Sequence, residues 1–180
     1  TALLILSGDG NTTGPGDAVL LDDTSDTLAN TGSLSSNQVL GLGLGAGINY
    51  SAMEFLTLNL GSGGDTFNVL SASPSTVSAV NANGGNDTVT LASVGSAPIT
   101  IDVGAGNDII HGSPDNDVLI GGPGDDTIDG GGGAVEQRRQ TIGEFSILQG
   151  NERHVSGAIG AMSTKGMKGT KGTTGTKGTK

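Results

Sequence analysis

Asp108, Asp117 and Asp126 recur at a strict interval of nine residues, with glycine upstream of each and an aliphatic residue, Ile110, Leu119 or Ile128, two positions after it. Carboxylates spaced in this way point to oxygen-only cation binding. Calcium takes roughly six to eight oxygen ligands in flexible geometry, and a G-x-G-x-D turn offers one carboxylate together with carbonyls that glycine allows to point at an ion. Magnesium, which demands strict octahedral geometry and keeps its waters, suits such a turn less well. Asn and Asp also make turns by bonding their own backbone, and Asn86, Asn107 and Asn116 admit that simpler reading.

The elements that position these aspartates follow from the period. Ile110, Leu119 and Ile128 do not recur at helical spacing, so the nine-residue unit is a turn followed by a short strand. Two units close one flattened coil, with glycines in the turns and one aliphatic side chain sent inward from each strand. Residues 103–133 read V-G-A-G-N-D-I-I-H, G-S-P-D-N-D-V-L-I, G-G-P-G-D-D-T-I-D and then G-G-G-G. This resembles the RTX, or haemolysin-type calcium-binding, nonapeptide G-G-x-G-x-D-x-U-x. Gly121, Gly122, Gly124, Asp126 and Ile128 match it fully, while Val103, Ser113 and Asp115 stand where the pattern has glycine. The resemblance implies ions between turns of neighbouring coils, held by Asp108 and Asp126 and by backbone carbonyls around Gly104, Gly106, Gly122 and Gly124.

The same phrase, strand then glycine turn then aspartate then strand, is written further upstream. It ends at Asp65 and Asp87, so that Asp65, Asp87, Asp108 and Asp126 follow at intervals of 22, 21 and 18. Intervals near twenty suit one full coil of a parallel β-helix, and coils stacked about 4.8 Å apart would align the four carboxylates along one edge. Asp117 belongs to the opposite edge, where its expected neighbours Ile99 and Val135 offer no ligand. A hairpin meander is the rival arrangement, but it does not require the same aspartate at every second turn. The 48-residue gap from Asp17 to Asp65 predicts a degenerate coil with a surface loop. Within it and after it, I-N-Y-S-A-M-E-F-L-T-L-N-L-G-S-G-G-D-T-F-N-V resembles a segment repeated in large exported bacterial proteins that carry glycine-aspartate arrays.

Composition supports a thin, repetitive core. The 180 residues include 34 glycines, 2% aromatics and no cysteine, so neither a bulky core nor a disulfide is available. The net charge of -10 divides sharply, because every Lys and Arg lies at Arg138 or beyond. Acidic groups with no internal counter-charge repel by roughly 3 kcal/mol for a pair ~5 Å apart at an effective dielectric of ~20, which implies a cation supplied from outside. The opening T-A-L-L-I-L is too short and too poor in basic residues for a signal peptide or a membrane span, and reads as the cut end of a longer chain.

The sequence therefore predicts an all-β, right-handed parallel β-roll or β-helix solenoid over residues 1–133, with its nonapeptide core at 103–133, followed by an irregular or disordered tail. Residues 134–165 lose the repeat and are either a cap or the product of a changed reading frame, with a closing strand expected within 140–149. Residues 166–180 are five Gly-X-Y triplets. They are similar to a collagen-like tract, but their brevity and lack of proline favour a disordered basic tail.

H-E-x-x-H, G-x-S-x-G and P-loop patterns are absent, and His111 and His154 have no evident partner, so no enzyme is expected. The expected function is a Ca2+-binding structural module of a secreted or cell-surface protein, folding on calcium binding, with the rest of a larger polypeptide as its partner. The alternative is an adhesin-type module for carbohydrate, a cell surface or ice; Thr57, Thr66, Thr88, Thr90 and Thr100 do not share the register that ice binding requires. The acidic body disfavours specific nucleic-acid binding.

Overall fold

The protein is described by a computed structural model covering residues 4–8, 16–92, 94–95, 97 and 99–131, together with the strand backbone of 135–137 and 146–147. Expectations for the remainder of 134–180, the Gly-X-Y tail included, lie outside the described residues.

Every described element is a strand: β1 (Leu4–Ser7), β2 (Ala18–Asp22), β3 (Thr31–Ser35), β4 (Gln38–Gly41), β5 (Ile48–Ser51), β6 (Phe55–Asn59), β7 (Thr66–Val69), β8 (Val77–Asn81), β9 (Thr88–Leu91), β10 (Ile99–Asp102), β11 (Ile109–His111), β12 (Asp117–Ile120), β13 (Thr127–Asp129), β14 (Val135–Gln137) and β15 (Ser146–Ile147). From β6 onward the chain alternates between two parallel sheets. One sheet runs β2-β6-β8-β10-β12-β14 and the other β3-β7-β9-β11-β13-β15, each strand lying beside the one a full coil earlier. The pairs Thr66↔Thr88, Thr88↔Ile109 and Ile109↔Thr127 give coil steps of 22, 21 and 18 residues, the same series as the aspartate intervals. Beyond Gly133 the backbones of β14 and β15 each add one further parallel strand.

The two-residue alternation of each strand sends one column of side chains between the sheets. Phe67, Val89, Ile110 and Ile128 form one such column, and Leu58, Val80, Ile101 and Leu119 face them from the other sheet, all at most 1% exposed. The inward places expected for Ile110, Leu119 and Ile128 are thus occupied, while His111 points outward. Outward threonines do not form a regular array. Thr31, Thr66, Thr88 and Thr127 share one column, which Ile109 interrupts, while Thr57 and Thr100 lie on the other sheet.

The gap between Asp17 and Asp65 folds differently from the degenerate coil and loop read from the sequence. β3, β4 and β5 are consecutive antiparallel neighbours, and β1 then pairs with β5 in parallel. The physical reason is local. Ser36 and Asn37 form a two-residue hairpin connection, and in G-L-G-L-G-A-G the residues Gly41, Gly43, Gly45 and Gly47 all take positive φ, which turns the chain back before it can cross to the other sheet. The antiparallel meander therefore lies within one sheet, and β2 pairs directly with β6 across 37 residues.

Candidate cation site along the aspartate edge

From β6 to β13, each crossing from the first sheet to the second passes through a six-residue turn, such as 60–65 or 103–108, that ends on an aspartate. Successive turns stack so closely that several of their glycines leave no room for a side chain. A Cβ on Gly106 would drive into the carbonyl of Gly85, and one on Gly124 into the carbonyl of Gly106. With φ of 154° and 143°, both residues also hold a backbone that L side chains rarely adopt. Asn83, Gly104 and Gly122 form a second column, in which each later glycine faces the carbonyl of the residue one coil earlier.

The four aspartates form one continuous ladder. The N–H of Asp65 donates to Oδ1 of Asp87 (2.7 Å), that of Asp87 to Oδ1 of Asp108 (2.7 Å), and that of Asp108 to Oδ1 of Asp126 (3.1 Å). At the top, the N–H of Asn30 donates to Oδ1 of Asp65 (2.8 Å), so Asn30 holds the position that aspartate has in later coils. All four carboxylates are at most 5% exposed. Only one oxygen of each is used by the ladder, and Oδ2 of Asp65, Asp87 and Asp108 is buried without a hydrogen-bond partner.

A second ladder runs beside the first in the opposite direction. The N–H of Asn107 donates to Oδ1 of Asn86 (2.9 Å) and the N–H of Asp125 to Oδ1 of Asn107 (3.0 Å), so the side chains here belong to the earlier coil. Asn86 and Asn107 thus hold successive turns together, a larger role than bonding within their own turn.

Burial sets the electrostatics of this edge. Loss of solvent, opposed by the ladder's backbone N–H bonds and reinforced by the neighbouring aspartates, leaves the Asp87 carboxyl raised to about 7 and that of Asp108 to about 6. Asp126 is raised as well, chiefly by burial. The first basic residue in the sequence is Arg138, so no Lys or Arg of residues 1–133 offsets these charges. Buried anionic oxygens that lack donors, beside columns of backbone carbonyls, fit a hard cation. Among the described residues no three acidic or histidine side chains converge closely enough to hold an ion by themselves, so carboxylates alone make no cage.

Residues 102–134 match the RTX calcium-binding nonapeptide repeat, in four copies. The chain carries an RTX-type calcium-binding repeat block. RTX repeats form a parallel β-roll and bind Ca2+, and the parallel coils here have that architecture. No curated protein and no solved structure shows a significant match to the chain. Asp108, Asp126, Gly104, Gly106, Gly122 and Gly124 all lie inside the RTX block, whereas Asp65 and Asp87 precede it on the same edge.

Asp117 is inside the RTX block but away from the ladder. It pairs with Val135 across the sheet, and the register that sets Thr100 against Val118 places Ile99 on its other side. Its Oδ2 accepts the N–H of Ser113 (2.8 Å), and both its oxygens accept from the Ser113 hydroxyl. Asp17 lies on that same opposite edge, ahead of β2. Its N–H donates to Oε2 of Glu54, and its carbonyl accepts the N–H groups of Glu54 and Phe55. The sequence reading missed Asn30 and Asp23 on the ladder edge, because no glycine phrase marks the turn that carries them.

Proposed function

We propose that residues 1–133 are a calcium-dependent structural module of a larger secreted or cell-surface protein, which folds when it meets calcium outside the cell. The observation that supports this reading is the row of buried, partnerless Oδ2 oxygens on one edge of a chain body that has no basic residue. In this reading Asp108 and Asp126, with carbonyls of Gly104, Gly106, Gly122 and Gly124, hold calcium in the RTX block, and Asp87 and Asp65 extend the binding edge upstream. Asp117 plays a structural part within its own turn. Calcium that binds the stacked coils and not the unfolded chain adds its binding free energy to folding. A chain that stays unfolded where calcium is scarce and orders where it is plentiful suits export before folding. RTX repeats are a structural calcium-binding module, and no catalytic role is proposed.

Far-ultraviolet circular dichroism through a calcium titration tests the proposal. The spectrum should be largely that of an unfolded chain in chelator and should gain β-structure at millimolar calcium. An unchanged β spectrum in excess EDTA would show that the ion does not drive folding.

A further inference from the structure

The turn that leaves β2 differs in kind from those below it. Residues 23–30 span eight positions between Asp22 and Thr31, where the later turns span six, and they carry no glycine. Backbone bonds nevertheless fix their alignment. The N–H of Asp23 donates to the carbonyl of Asn59 (2.9 Å), as Leu60 does to Asn81, Ala82 to Asp102 and Val103 to Ile120. Asp23 therefore occupies the column that Leu60, Ala82 and Val103 fill with fully buried apolar side chains.

A carboxylate in an apolar column calls for a physical explanation, and its surroundings point to one. Asp23 Oδ2 is shielded from solvent and has no hydrogen-bond partner, and the same is true of Oδ2 on Asp65, which is 2% exposed. The Asn30 N–H on Oδ1 of Asp65 brings that carboxylate up to the turn that carries Asp23, and the Asp65 charge acts on Asp23. Burial raises the Asp23 carboxyl, and the charges of Asp26, Asp65 and Asp22 raise it further. Asp26 cannot supply the missing contact, because its own carboxylate accepts from Leu28 N–H (2.9 Å) and Asn30 Nδ2 (2.9 Å). It acts as a brace instead, with its carbonyl accepting Ser62 N–H (2.8 Å) and so binding this turn to the one below.

We infer that Asp23 and Asp65 form a separate calcium site, at the junction between the antiparallel meander and the regular coils, with each orphaned Oδ2 as a ligand and backbone carbonyls completing the shell. Oxygen-only donors, with the Asp65 carboxylate buried and Oδ2 of a half-buried Asp23 shielded beside it, select a hard divalent cation. The site lies outside residues 102–134 and is built on a turn that has no nonapeptide, so it stands independently of the RTX block. An ion there would pin the 23–30 turn to the first regular coil.

The test is the number of calcium ions bound per full-length chain at pH 7.5, measured by isothermal titration calorimetry and by equilibrium dialysis. Asp23→Asn and Asp23→Leu should each bind one ion fewer than the parent. At the lowest calcium concentration that folds the parent, Asp23→Leu should melt above it, because it restores the apolar column, and it should gain less from further calcium. An unchanged ion count in Asp23→Asn overturns the site, and this isosteric variant decides the matter if Asp23→Leu does not fold. Asp126→Asn provides the separating control. Loss of ions in that variant with none lost in Asp23→Asn removes this site alone, whereas a parent chain that binds no calcium removes both this site and the RTX reading.

Discussion

The N–H of Asp87 donates to Oδ1 of Asp108, which lies 21 residues later in the chain, while Oδ2 of Asp108 is buried with no partner. One carboxylate therefore does two jobs. It joins adjacent coils through a backbone bond, and it holds a second oxygen in reserve on an edge that has no basic group to meet it. Removing it should cost both cohesion and cation affinity.

Asp108→Ala and Asp126→Ala should each weaken calcium binding by about tenfold or more, since each removes a charged ligand from a flexible oxygen site. Asp117→Ala should leave calcium affinity nearly unchanged but lower stability by roughly 1–3 kcal/mol, because it strips the buried Ser113 N–H and hydroxyl of their acceptor. Calorimetry in parallel with thermal melts separates the two effects. Equal loss of affinity in Asp117→Ala and Asp108→Ala would show that both edges bind ions.

Stability without calcium should fall as pH rises. The folded state raises Asp87 from 3.8 to about 7 and Asp108 from 3.8 to about 6, so between pH 4 and 7 the folded chain holds more protons than the unfolded one. Unfolding free energy then decreases with pH across that window. Circular dichroism in EDTA should show a larger folded fraction at pH 5 than at pH 7.5. Calcium competes with those protons for the same carboxylates, so in saturating calcium the difference should shrink or reverse. A chelated protein that is more stable at pH 7.5 would contradict the burial of these groups.

Gly106→Ala should abolish the stacked turn, at a cost on the order of 3 kcal/mol or more, since both the positive φ and the Gly85 carbonyl oppose a Cβ. Gly43→Ala is the matched control. Gly43 also has positive φ, but a Cβ there meets nothing within 4 Å, so strain of about 1–2 kcal/mol is the expected limit. Chemical unfolding in calcium distinguishes them, and similar losses would mean that coil contact adds nothing to backbone strain.

The ladder edge was legible in the sequence because its determinants are local and repeated. Spacing alone placed Asp65, Asp87, Asp108 and Asp126 in one row and put Ile99 and Val135 beside Asp117. The region ahead of Asp65 was not legible, since pairing there joins residues 37 apart and the antiparallel β3–β5 meander has no repeat to reveal it. Asn30 and Asp23 take their roles only from the register of β2 against β6. That register depends on how many residues the meander consumes, a quantity that no local motif records.

The junction of meander and coils also sets the last expectation. Phe67 is fully buried and pairs in parallel with Gly32, and a Cβ on Gly32 would come within 2.9 Å of the Phe67 ring. The small residue on β3 makes space for the large one on β7, in a core otherwise built almost wholly of Val, Ile and Leu. Phe67→Ala should therefore cost about 3–5 kcal/mol, the range for emptying a large aromatic site, because the regular coils below cannot shift to fill it. Gly32→Ala should destabilise by overpacking, roughly 1–3 kcal/mol. The double variant Gly32→Ala/Phe67→Leu should recover part of the loss, since the smaller side chain yields the space that the new methyl takes. Urea titrations in saturating calcium measure these variants and Phe67→Leu alone, and strict additivity of Gly32→Ala and Phe67→Leu in the double would show that the pair is not coupled across the sheet.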